Sequence, residues 1–207
     1  MKYLIIYFAL FLPAYINAQF GVKAGFNYAN ITEAGDINNS ARSGFHAGVF
    51  LAGSSKSLFS SRTELLFSKQ GYDFKTNTNT GTVNLNYLML PQFMAINITE
   101  IFQIQLGAQI AYLLNATVDS TSTTGDPATD DIIALMNRFD YGLGGGLEVH
   151  PFHFLIVGAR INIGLGSLYK VPEPGEEYSF VPEIDVKNNL FQIYAGYKFG
   201  KKEVKQE

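Results

Sequence analysis

The hydrophobic pattern of the chain consists of short stretches in which apolar and polar residues alternate. The last stretch shows this most simply, because Phe191, Ile193, Ala195, Tyr197 and Phe199 fall on one face of an extended strand. Seven similar stretches precede it. The eight predicted strands cover residues 19–31, 44–52, 58–74, 83–96, 101–114, 139–149, 154–165 and 191–199.

The apolar faces of these strands have no long amphipathic helix to pack against. A closed ring of strands can turn its apolar face to lipid and its polar face inward while pairing every backbone group. Three links are brief turns, near residues 53–57, 97–100 and 150–153, and the others are longer and polar. This alternation is typical of outer-membrane barrels whose short turns and termini lie in the periplasm. We therefore predict an all-β fold, an eight-stranded antiparallel up-and-down transmembrane β-barrel.

Two local irregularities are also predicted. Pro91 lies inside the fourth strand and is expected to mark a bulge, because proline cannot donate to a ladder. Residues 130–137 are expected to form one or two helical turns. Their apolar side chains could cover the barrel mouth, contact lipid or bind a partner, and the pattern leaves these alternatives open.

The first residues predict export. Lys2 is followed by an apolar run at residues 4–16, interrupted by Pro13, and then by Ala18, a small residue suited to cleavage. The run is shorter than the roughly 20 apolar residues of a spanning helix. The predicted organisation is a signal peptide at residues 1–18, a barrel domain at 19–200 and a short charged C-terminal tail at 201–207.

Composition and charge exclude several kinds of binding site. The net charge of −3 provides no basic surface for nucleic acid, and the absence of cysteine excludes disulfides and thiolate metal sites. His150 and His153 flank a turn without a clear third metal ligand. We expect no catalytic, cofactor or metal site, and hence no enzyme. Whether the acidic long links bind divalent cations is left open.

The polar faces predict a charged interior. An eight-stranded barrel has room only for its own side chains, so charged groups inside it must pair with one another. A proton or ion path through these groups is the alternative. The residues expected in the interior network are Lys23, Arg62, Glu64, Gln103, Gln105, Gln109, Asp140, Glu148, Arg160 and Asn162.

Several short motifs occur in order along the mature chain. They are FGVKAGFN at residues 20–27, ELLFSKQG at 64–71, YLMLP at 87–91, FDYG at 139–142, ARINIGL at 159–165 and YKF at 197–199. With these motifs the chain resembles the PorT-like family of outer-membrane β-barrel proteins of Bacteroidetes-type bacteria. The resemblance implies an outer-membrane barrel in a family with one namesake member linked to protein secretion. Tyr197 and Phe199 are the expected assembly signal, and a charged tail follows them here.

Two classes of function fit these expectations. The favoured one is a non-enzymatic integral outer-membrane barrel with a plugged polar interior, which acts in envelope structure or as a surface or assembly interaction protein, with a link to protein secretion. Its expected partners are outer-membrane lipid, the barrel-assembly machinery and envelope or secretion-system proteins. The alternative is a soluble exported lipocalin-like barrel that binds a small apolar ligand, in which the apolar faces would point inward.

Overall fold

A computed structural model shows a closed antiparallel barrel. It describes residues 19–32, 38–75, 79–122, 127–170 and 186–199, so the predicted signal peptide and charged tail lie outside the described residues. The strands are β1 Gln19–Ile31, β2 Asn38–Ala52, β3 Phe59–Lys75, β4 Asn79–Asn97, β5 Phe102–Ser122, β6 Pro127–Asp131, β7 Phe139–Phe152, β8 Leu155–Gly164 and β9 Asn188–Phe199.

Eight of these strands form the ring, and β6 pairs only with β5 beside it. The order around the ring is β4, β3, β2, β1, β9, β8, β7 and β5, and the pairing of β4 with β5 closes it. The first and last strands lie side by side in register from Phe20↔Phe199 to Ile31↔Asn188. A closed ring has no unpaired edge. The prediction of an eight-stranded antiparallel up-and-down barrel is confirmed.

The two ends of the barrel differ. The links β2–β3, β4–β5 and β7–β8 are brief turns at one end, which also holds Gln19 and Phe199 and is called the short-turn end. At the other end, the hairpin end, strands continue well beyond the predicted limits. Phe74 pairs with Gly81, and β5 pairs with β6 from Thr117↔Asp131 to Thr121↔Pro127. The sequence predicted polar links here because Asn, Asp and Gly, which have low strand propensity, recur in these segments.

Pro91 does not mark a bulge, and that prediction is wrong. The β3–β4 ladder passes from Thr63↔Gln92 to Leu66↔Met89 without a register shift. Pro91 has no N–H, so the pairings that this donor would support, at Glu64 and Leu65, are missing from the ladder. The irregularity of β4 lies instead between Asn86 and Tyr87, where the register with β5 shifts.

The outer wall of the barrel is apolar. Outward side chains on every strand of the ring are exposed, among them Phe26, Val49, Leu65, Leu90, Leu106, Leu143, Ile161 and Ile193. A wall of this kind is suited to contact with lipid hydrocarbon, because soluble monomers rarely expose so large an apolar surface. Among the described residues, no helix is long and apolar enough to cross a bilayer.

The interior is divided into two zones. Towards the hairpin end it is filled by an apolar cluster that includes Leu66, Tyr72, Val83, Leu85 and Leu113. Towards the short-turn end the buried side chains are mostly polar or charged, with a small apolar group around Phe50 and Ile156. The period-two pattern predicted the polar zone but not the apolar one.

Candidate functional site

Two buried carboxylates organise the polar zone. The first is Glu64 on β3, which accepts hydrogen bonds from both terminal nitrogens of Arg160, at 2.9 and 3.0 Å. The Lys23 ammonium also donates to Glu64, with an Nζ–Oε2 distance of 2.9 Å. All three side chains are fully buried. A bidentate guanidinium–carboxylate pair is among the strongest hydrogen-bonded contacts in proteins.

The second carboxylate, Glu148 on β7, has its own set of donors. Both terminal nitrogens of Arg62 donate to it, at 2.8 and 2.6 Å. The Tyr194 hydroxyl donates to Oε2 at 3.0 Å, and His150 Nε2 lies 2.7 Å from Oε1. Gln105 donates to Glu148 at 3.2 Å and accepts from Arg160 at 2.6 Å, so it joins the two groups.

Aromatic rings cover the cations on their remaining sides. Lys23 Nζ lies 3.7 Å from the ring centroid of Tyr194, and the Arg160 guanidinium carbon lies 3.9 Å from that of Phe93. Arg62 stands over Phe50 in the same way. Cation–π contacts of this kind strengthen where water is excluded. The cations are therefore held between carboxylates and rings.

Glycines on the interior face make this packing possible. A Cβ at Gly158 would lie 2.6 Å from the Tyr194 hydroxyl oxygen, and one at Gly144 would lie 2.9 Å from Phe93. Such distances are shorter than van der Waals contact, so a larger residue would displace the rings.

The hairpin end of the barrel is covered by a second layer. After β6 the chain forms a single 3-10 turn at Ile133–Leu135, where helical turns were expected. Ile132 and Met136, which flank this turn, are buried in the apolar cluster. Of the alternatives left open by the sequence, this position favours a segment that covers the mouth, because these two side chains are buried at the hairpin end.

Tyr169 contacts both the covering segment at residues 132–136 and the barrel wall. Its hydroxyl lies 2.5 Å from that of Tyr72 on β3, and its backbone forms a bridge with Met136. Burial raises the pKa of Tyr169 to about 12, so this hydroxyl keeps its proton at physiological pH.

The comparisons with known proteins agree with this architecture. Residues 13–170 match the model of a family described as "Outer membrane protein beta-barrel domain". The chain belongs to this outer-membrane β-barrel family. The bacterial outer membrane is therefore its location. No curated protein matches the sequence.

Solved structures of outer-membrane barrels are similar to this family member in fold. The attachment invasion locus protein Ail of Yersinia pestis, solved with the heparin analogue sucrose octasulfate, is 14% identical, with a TM-score of 0.51 over 89% of this chain and 100% of that chain. Neisserial surface protein A is 15% identical, with a TM-score of 0.49 over 87% and 97% of the two chains. The soluble lipocalin-like alternative is wrong, because the apolar faces of this barrel point outward.

Nine of the ten residues expected in the interior are buried there. Lys23, Arg62, Glu64, Glu148 and Arg160 form the charged centre described above. The glutamines and asparagine around it are Gln103, Gln105, Gln109 and Asn162. Gln103 accepts from Gln105 and donates to Asn97, while Asn162 donates to Gln192. Gln109 is buried with its Oε1 unpaired.

Asp140 is the exception, and its assignment to the network needs correction. It is the second residue of β7, at the hairpin end, where it is only half-buried, and its Oδ1 accepts from the backbone N–H of Tyr141 at 2.7 Å. The ten expected residues include three basic and three acidic side chains, and this balance of charges is wrong because Asp140 lies outside the network. Within the described residues, the buried Lys, Arg and Glu side chains are Lys23, Arg62, Arg160, Lys198, Glu64 and Glu148.

Several interior residues were missed by the sequence reasoning. Asn27 receives a hydrogen bond from Gln192, donates to Ser68 and lies 2.8 Å from His46 Nδ1. Three further interior residues lie towards the short-turn end, namely Tyr194, His150 and Lys198. Strand parity indicates their positions, because Asn27 shares a face with Lys23 and His150 with Glu148, while Tyr194 and Lys198 lie opposite the apolar face of the last strand.

The proposed assembly signal lies on the outer wall at the short-turn end. Tyr197 and Phe199 are exposed, and the Phe199 ring stacks on Phe20 with centroids 5.7 Å apart. Their role in assembly stays a prediction. Among the described residues, no cluster of His, Asp and Glu could hold a metal ion.

Proposed function

We propose that this chain is a non-enzymatic, non-conducting barrel that acts in envelope structure or as a surface or assembly interaction protein. The main observation in support of the proposal is that side chains fill both halves of the barrel interior. The paired charges occupy the short-turn half, and the apolar cluster with its cover occupies the hairpin half. The outer wall and the projecting hairpins are then the surfaces left for function.

The absence of enzyme activity is part of this proposal. A lipid-modifying site needs a nucleophile and a base that lipid or water can reach. His46 and Ser68, the pair most like such a site, are both buried in the interior and bonded to Asn27. Their burial supports a role in packing.

We expect no ion conductance, because side chains fill both the polar zone and the apolar zone of the interior. The purified protein in a planar bilayer should give no stable open channel of porin type, because an eight-stranded wall leaves no water column beside these side chains. A variant in which residues 132–136 are replaced by glycines should also stay closed, since the charged zone remains. A 16-stranded porin in the same bilayer serves as positive control. Reproducible large steps from the monomeric wild type would contradict the proposal.

The proposed orientation has the hairpin end outside the cell and both termini in the periplasm. It is supported by the short turns at one end and the long hairpins at the other. An epitope tag inserted between β5 and β6, whose paired ends lie at the hairpin end, should bind antibody on intact cells, because exposed connections between strands tolerate insertion. A tag after Glu207 should become reachable only in a permeabilised envelope. The reverse pattern would show that the barrel is inverted.

The proposed partners are outer-membrane lipid, the barrel-assembly machinery and envelope or secretion-system proteins. Lipid fits the apolar wall, and the exposed Tyr197 and Phe199 at the end of β9 suit recognition during assembly. Membership of the PorT-like family, and with it a link to secretion, is supported by the ordered motifs from residues 20–27 to 197–199. Comparing the proteins secreted by cells with and without this barrel tests that link.

A further inference from the structure

One amide side chain interrupts the apolar outer wall near the middle of its height. Gln92 is an outward residue of β4, with exposed Leu90 and Met94 on either side of it. It pairs with Thr63 on β3 and with Ala108 on β5. Ala108 is the middle of the outward series from Phe102 to Leu114 on β5, so Gln92 lies at the depth of the hydrocarbon core.

The hydrogen-bonding capacity of this amide is only partly used. Gln92 Oε1 accepts a hydrogen bond from the Thr63 hydroxyl. Within the described residues, nothing accepts a hydrogen bond from its Nε2 amino group, which can donate two. Lipid tails offer no acceptor, so these donors are unfavourable in a monomer surrounded by lipid.

The backbone beside Gln92 carries a second irregularity. Pro91 lacks an N–H, and the β3–β4 ladder is interrupted there. On the neighbouring strands, three outward residues close to this point are small or polar: Ser61 and Thr63 on β3 and Ala108 on β5. Small residues allow close approach of a second membrane segment. The opposite wall at comparable depth is apolar, with Ala24, Ala47 and Ala195 in one row.

We propose that two copies of this chain associate in the membrane through the wall formed by β3, β4 and β5, with their Gln92 amides paired across a two-fold axis. A second copy is the occupant that fits best, because an amide carries both donors and an acceptor and is therefore complementary to itself. A two-fold interface brings the same residue of each copy together. The pairing gives the Nε2 donors an acceptor that lipid cannot supply.

Cysteine cross-linking tests the interface without removing Gln92. The chain has no cysteine, so Ala108→Cys introduces the only thiol, beside Gln92 on the same wall. In vesicles at high lipid dilution, oxidation should convert Ala108→Cys into a covalent dimer. Ala195→Cys is the matched control, because it replaces an exposed outward alanine on β9, opposite β4 in the ring.

The role of the amide is tested by Gln92→Leu in the Ala108→Cys background. Loss of the paired amides should reduce the cross-linked fraction about tenfold. Fluorescence energy transfer between labelled wild-type barrels, repeated with Gln92→Leu, provides a measurement that needs no disulfide. Heat-dependent gel mobility checks that each variant is folded.

Three results would overturn the proposal. The first is no dimer with Ala108→Cys, and the second is equal cross-linking of Ala195→Cys. The third is an undiminished dimer after Gln92→Leu. If lipid alone covers this wall, Gln92→Leu should instead stabilise the folded barrel against urea and leave energy transfer at the level of a monomer.

Discussion

Glu64→Gln is expected to lower the free energy of unfolding by about 3–5 kcal/mol, the cost of removing one partner from a buried ion pair. The substitution keeps the shape of the side chain but removes the charge that faces Arg160 and Lys23. Both cations are fully buried, and Arg62 lies only 3.9 Å from the same carboxylate. Among the described residues, Lys23, Arg62 and Arg160 would then have only Glu148 as a buried carboxylate counter-ion.

Urea unfolding in lipid vesicles, followed by heat-dependent gel mobility, measures this effect, since the chain has no tryptophan to report on it. Asp73→Asn is the matched control. The Arg42–Asp73 pair spans 3.1 Å, but its side chains are 27% and 46% exposed. Solvent screening limits the cost of breaking it to about 1 kcal/mol or less. Equal effects of the two substitutions would show that Glu64 is hydrated rather than packed.

Leu106→Arg is expected to cost about 2–4 kcal/mol of folding free energy, because it places a charge on the lipid-facing wall near the bilayer midplane. Leu106 is an exposed outward residue of β5, paired with Met94 and Gly145. The fraction inserted into vesicles and the urea midpoint should both fall.

Ile98→Arg provides the control for depth. Ile98 lies in the turn between β4 and β5 and is also exposed, but it sits at the short-turn end, where the same charge should cost only about 0–1 kcal/mol. If the two variants lost equal stability, the apolar wall would not be in contact with hydrocarbon.

The sequence by itself determined the ring of strands and the direction of its faces. Period-two alternation fixes the face of each residue, and a shift by one position would turn every apolar side chain inward. For this reason Lys23, Glu64 and Arg160 could be assigned to the interior before any distance was known. Parity also suffices for His46 and Tyr194, which lie on the polar faces of their strands.

Strand limits and local irregularities were less predictable. The ladders of β3–β4 and β5–β6 continue through Gly81, Asp119 and other residues of low strand propensity, because each added pair extends a hairpin that already exists. Pro91 was expected to form a bulge. The ring instead keeps its register and loses ladder pairings, since the neighbouring strands on both sides hold β4 in place.

Only the tertiary structure decided which interior charges meet. Alternation places Arg62 and Glu64 on one face of β3, yet Arg62 pairs with Glu148 on β7 and Glu64 with Arg160 on β8. These partners are 86 and 96 residues apart in the chain. The alternation predicts whether a side chain points inward or outward. It does not predict how far along the barrel axis the side chain lies or which residue it contacts across the interior. For the same reason Asp140, inward by parity, lies too close to the hairpin end to join the network. The covered mouth also required the closed ring, because Ile132 and Met136 pack against strands that are distant in sequence.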